Sequence, residues 1–105
     1  MLPEPELLPN SIELTNMQTA REVEKINKAL ANRRRLSILK YLRRVGNANV
    51  GDIAIEIALS FAATSRHLRI LSAANVVEGE QVGLMVGYYL KDPIHKITKS
   101  SLDSF

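Results

Sequence analysis

The sequence predicts a mainly α-helical domain carrying one small β-hairpin, in the order helix, helix, helix, helix, hairpin, helix. Three observations lead there. Apolar residues recur at helical spacing through most of residues 14–74. Residues 76–90 then change to Val, Met and Tyr punctuated by Gly79, Gly83 and Gly87, a strand-and-turn composition. Finally, 105 residues of which 46% are hydrophobic suffice for one core and no more. With 5% aromatics and no Trp, that core has to be built from Leu, Ile, Val and Ala.

The elements follow in order. MLPEPELLPN is acidic and Pro-rich and lacks the basic start and apolar stretch of a signal peptide, so residues 1–13 are read as a flexible arm. The remaining residues, 14–105, form the single domain. Leu14, Met17, Ile26 and Leu30 fall near one stripe of a first helix over 14–30, with Thr15 as its cap. Asn32 can cap a second helix whose Leu36, Leu39 and Leu42 face inward, and Gly46 suits its left-handed end. Asn49 opens a short third helix with Val50, Ile53, Ala54 and Ile57 at helical spacing and Asp52 as a weak capping-box partner. Ser60 caps a fourth helix over about 61–74. Gly83 is central enough to turn a hairpin between Val76 and Leu90. Asp92 and Pro93 are expected to start a last helix, with Ile94, Ile97 and Leu102 on its apolar side.

Charge is unevenly spread. The formal net charge is +3, yet Arg33, Arg34, Arg35, Lys40, Arg43 and Arg44 stand in residues 32–49 without a single acid. A basic patch of this kind attracts phosphate, although most charge runs are only solvated helix faces. The absence of cysteine excludes disulfides, thiolate metal sites and thiol redox sensing. No apolar run approaches the roughly 20 residues that span a bilayer, so a cytoplasmic protein is expected.

The fourth helix is the most informative. At 100° per residue, Thr64, Leu68, Leu71 and Asn75 share an inward stripe, and Ala62, Ser65, Arg66, Arg69 and Ala73 lie opposite. Small residues near the helix start followed by hydroxyl and guanidinium groups suit a helix lying in a major groove. Two short helices joined by a turn, followed at once by a hairpin, give a winged helix-turn-helix. ALANRRRLSILKYL (Ala29 to Leu42), NVGDIAIEIALSFAATSRHLRIL (Asn49 to Leu71) and the closing GYYL (Gly87 to Leu90) resemble the ArsR/SmtB family of winged-helix repressors over most of residues 14–90. The resemblance implies a DNA-binding transcriptional regulator, a repressor, working as a homodimer joined by its first and last helices. The dimer contacts it implies are Leu14, Met17, Ile26, Leu30, Ile94, Ile97 and Leu102. It also puts Ala62, Ala63, Ser65 and Arg66 at base-facing positions on double-stranded DNA. Arg69 shares that outward face, and Arg34, on the outward face of the second helix, is expected near phosphate. Arg35 either touches phosphate or pairs with a carboxylate inside the fold, and His67 either packs within the protein or contacts DNA.

Three departures from the family pattern stand out. Phe61 occupies a position where the family often has a polar side chain; it either packs against the turn, the simpler reading, or touches a thymine methyl. The wing carries Glu78 and Glu80 instead of basic residues, and Val82, Leu84, Met85 and Val86 make its tip apolar. Either the wing stands clear of DNA or it binds another protein, which is the alternative function. Last, Asn49 and Gly51 replace the family's thiolate ligands, and Asp92, His95 and Asp103 fall short of a zinc set. No metal, cofactor or catalytic activity is expected. Asp92 reads as a helix N-terminal acid and His95 as a surface residue.

Overall fold

The computed structural model describes residues 19–92 and 94–105. Residues 19–30 are helical (α1), and the expected arm and residues 14–18 lie outside the described residues. Then come α2 (Arg33–Val45), β1 (Ala48–Asn49), α3 (Val50–Ile57), α4 (Phe61–Ala73), β2 (Val77–Val82), β3 (Met85–Leu90) and α5 (Lys96–Ser104). Mainly helical architecture and the helix-turn-helix followed by a hairpin are as the sequence predicts.

Local chemistry explains the boundaries. Asn32, Asn49 and Ser60 stand in extended backbone before α2, α3 and α4. Their side-chain oxygens accept from the amides of Arg35, Asp52 and Ala63 at 3.0, 2.9 and 3.1 Å. Each satisfies one of the amide groups that a helix start leaves unpaired. Gly46 closes α2 at φ +88°, a conformation that a Cβ would oppose. Ala58 closes α3 in the left-handed region at φ 57°, an uncommon place for alanine, so that α3 and α4 are joined by only three residues.

The predicted hairpin gains a third strand, and three other sequence expectations are corrected. The wing belongs to a three-stranded antiparallel sheet of order β1-β3-β2, because Ala48 and Asn49 pair with Tyr88 and Gly87. Two residues are too few to show an alternating pattern, and their pairing depends on β3 being brought alongside. A Cβ at Gly87 would meet the side-chain amide of exposed Asn47, which would have to turn aside. Asn75 is not on the inward stripe of α4; the helix ends at Ala73, and Asn75 lies exposed in the turn at φ 58°. The last helix begins at Lys96, not at Asp92 and Pro93. Asp92, expected as a helix N-terminal acid, precedes the helix, whereas His95 is exposed as expected and is also the N-cap, Nδ1 accepting from the Ile97 amide at 3.1 Å.

One core holds these elements together. It joins Ile26, Ala29 and Leu30 of α1 to Ile38, Leu39 and Leu42 of α2, Ile53 and Ile57 of α3, Leu68 and Leu71 of α4, Val76 and Val77 by the sheet, and Leu102 of α5. Helix α4 is thus fixed along its inner face, leaving its outer face to solvent.

Candidate nucleic-acid interface

The inward stripe of α4 is Thr64, Leu68 and Leu71, all fully buried. Thr64 is tolerated there because its hydroxyl donates to the Ser60 carbonyl at 2.8 Å. The opposite face is open: Ala62, Arg66 and Arg69 are exposed, and Ala63 and Ser65 are partly so. Arg66 and Arg69 make no hydrogen bond or ion pair among the described residues. An unpaired guanidinium presents its full donor fork to a phosphate or to the acceptor pair of guanine.

The two other sequence-nominated arginines are anchored. Arg34 Nη1 donates to the Ile57 carbonyl at 2.6 Å, placing a cation on the C-terminal end of α3. Its chain remains exposed beside Arg33, and both line a cleft of about 380 Å³ with Ser37, Glu56 and Ile57. Arg35 turns to the protein instead. Its Nε donates to the Ala29 carbonyl at 2.6 Å and its Nη2 to the Lys28 carbonyl at 3.2 Å, at the end of α1. Its Nη1 donates to His67 Nδ1 at 3.3 Å. Its partners within the fold are thus two backbone carbonyls and a histidine, not the carboxylate that the sequence leaves open. Since arginine cannot accept, His67 must be neutral with its proton on Nε2. Burial, then the charges of Arg35, Arg66 and Arg34, hold the His67 imidazole below the usual histidine range.

That depressed pKa has a sign. The unfolded chain takes up the His67 proton near pH 6.5, whereas the folded chain resists it, so stability falls as pH drops below that value. The urea midpoint should decline on acidification, and His67→Asn, which keeps an acceptor but cannot titrate, should flatten that part of the decline. Equal pH profiles for the two proteins would contradict this role.

Much of the basic run in residues 32–49 serves the fold. Arg43 pairs with Asp103 at 2.7 Å and donates to the Leu102 carbonyl at 3.1 Å. Lys40 reaches the same carbonyl and lies over the Phe105 ring at 5.3 Å. Arg44 pairs with Glu56 at 3.3 Å. Arg33, which sequence reasoning counted but did not nominate as a contact, is exposed and unpaired among the described residues. Only tertiary partners distinguish it from its neighbours.

In the wing, Glu78 accepts from Tyr89 Oη at 2.8 Å and from Lys91 Nζ, and these bonds, Lys91 first, hold its carboxyl below the usual range. Glu80 is exposed without such neutralisation. The tip turns at Gly83 (φ +65°) and leaves Leu84 fully exposed, with Val82, Met85 and Val86 also in solvent. Of the expected dimer contacts, Leu14 and Met17 lie outside the described residues. Ile26, Leu30 and Leu102 are buried in the chain's own core, and Ile94 and Ile97 pack partly against it. No group of three His, Asp or Glu residues is gathered to hold a metal, and no helix is long and apolar enough to cross a membrane, among the described residues.

Fold and site together define a DNA-binding transcriptional regulator of the winged helix-turn-helix type. Residues 32–78 match the bacterial regulatory protein, arsR family, and the chain belongs to that family while lacking its cysteine-based metal site. No curated protein matches the sequence significantly. Among solved structures, the transcriptional regulator HlyU from Vibrio vulnificus is 30% identical, with a TM-score of 0.66 over 88% of this chain and 93% of that one. The homodimeric winged helix-turn-helix DNA-binding domain of Mb0332 from Mycobacterium bovis is 26% identical (TM-score 0.75, 85% and 80% covered). The antimony-specific transcriptional repressor AntR is 29% identical (TM-score 0.68, 81% and 74% covered).

Proposed function

We propose that the protein is a cytoplasmic repressor that binds a two-fold symmetric DNA site as a homodimer. The observation that carries this reading is the outer face of α4, where Arg66 and Arg69 stand unpaired beside the small residues Ala62, Ala63 and Ser65. Ser65 and Arg66 contact base edges, and Arg69, Arg33 and Arg34 contact phosphates. Arg35 supports the surface by joining the end of α1 to His67 on α4. The likeness to a homodimeric DNA-binding domain supports pairing, for which the family resemblance implies α1 and α5, and the likeness to a transcriptional repressor supports repression.

Selection from a random DNA pool tests this reading. A palindrome with half-sites about one helical turn apart is expected. Affinity for it should fall steeply with salt, reflecting several phosphates per dimer. Weak binding indifferent to sequence would instead favour a protein-interaction module working through the apolar wing tip. Leu84, 101% exposed between Val82 and Met85, motivates that second reading.

A further inference from the structure

We infer that Phe61 reads the 5-methyl group of a thymine in each operator half-site. The inference rests on the DNA-binding reading above and adds a base preference to it. Phe61 is the first residue of α4 and is 63% exposed, so it does not pack into the turn that precedes it. Ser60 and Ala62 beside it are short and also exposed, and Ser60 spends its hydroxyl on the Ala63 amide. Nothing on the helix covers the ring.

Its direction follows from helix geometry. Side chains tilt toward the helix N-terminus, so a residue at the first position projects past the end of the helix. Phe61 also stands four residues before Ser65, one turn back on the same ridge. A recognition helix contacts base edges mainly with its N-terminal residues. Phe61 therefore meets the floor of the groove next to the base that Ser65 faces. A phenyl ring has no hydrogen-bonding group, and in the major groove only thymine offers an apolar one, its methyl. Opposite any other base the ring would cover polar edges without pairing them.

The test uses the full chain and the site selected from a random pool. Each thymine of a half-site is replaced in turn by deoxyuridine, which removes the methyl alone. Removing one well-covered methyl is expected to weaken wild-type binding about fourfold at one position per half-site. Phe61→Leu should keep that discrimination in part, and Phe61→Ala should bind the thymine and uracil sites equally while retaining its preferences at the other positions. The inference is overturned if a specific complex forms but no single replacement changes its affinity, or if Phe61→Ala discriminates as the wild type does. It is also overturned if Phe61→Ala alters dimer dissociation and leaves base preference intact, which would make the ring a protein contact. Failure to select any sequence would bring down the DNA-binding reading itself, a distinct result.

Discussion

Arg66→Ala is expected to reduce discrimination between operator and random DNA sharply while leaving the fold intact. Arg66 is exposed on the outer face of α4 and has no partner among the described residues, so its removal orphans nothing inside the protein. A bidentate arginine-to-base contact contributes about 1–3 kcal/mol, and a symmetric dimer makes it twice. The loss should therefore be roughly 30-fold or more on the selected site, and much smaller on random DNA. Arg66→Lys separates the two components, since it keeps the charge and loses the planar fork. Fluorescence anisotropy on matched specific and scrambled duplexes reads both. If Arg66→Ala weakened the two equally, Arg66 would be a phosphate contact and base reading would lie elsewhere on α4. Arg34→Ala should differ: besides losing charge evenly across sequences, it frees the Ile57 carbonyl and loosens the end of α3.

Leu68→Ala is expected to produce the largest loss of stability. Leu68 is fully buried at the centre of the inner face of α4, between Thr64 and Leu71, where the helix meets the core. Truncating a buried leucine costs about 2–5 kcal/mol, out of a total that for a domain of this size is about 5–15 kcal/mol. The urea midpoint should fall substantially, with operator DNA recovering part of the loss because only the folded state binds it. Leu84→Ala is the control. Its side chain is wholly in solvent, so its effect should stay within about 0.5 kcal/mol. A similar loss at both positions would mean that the wing tip is covered in the assembled protein.

What the sequence disclosed, and what it hid, follows from the range of the forces. Asn32, Asn49 and Ser60 were readable as caps because a cap acts over three residues, within the window that any local pattern shows. The open face of α4 was readable because helix geometry alone sets the angle between Leu68 and Arg66. The partners of the arginines were not. Arg43 meets Asp103 across 60 residues, and Arg35 meets His67 across 32, so identical side chains in one helix acquire opposite duties only after the chain has folded. The same holds for β1, whose two residues become a strand only because β3 arrives beside them. Phe61 lay at an angle between the buried and open faces, where periodicity alone leaves its exposure undecided.

The pairing of Arg43 with Asp103 bears on how any titration of this regulator is interpreted. Both side chains are partly exposed, so dissolved ions weaken their attraction, as they weaken that of Arg44 for Glu56. Added electrolyte therefore acts on two processes at once: it competes with protein for the phosphates and it slackens the hold of α2 on α5. A count of phosphates taken from the slope of affinity against ionic strength is soundest at the dilute end. There the free protein's melting temperature should be flat, and departure from flatness marks the concentration above which the slope no longer reports DNA contacts alone.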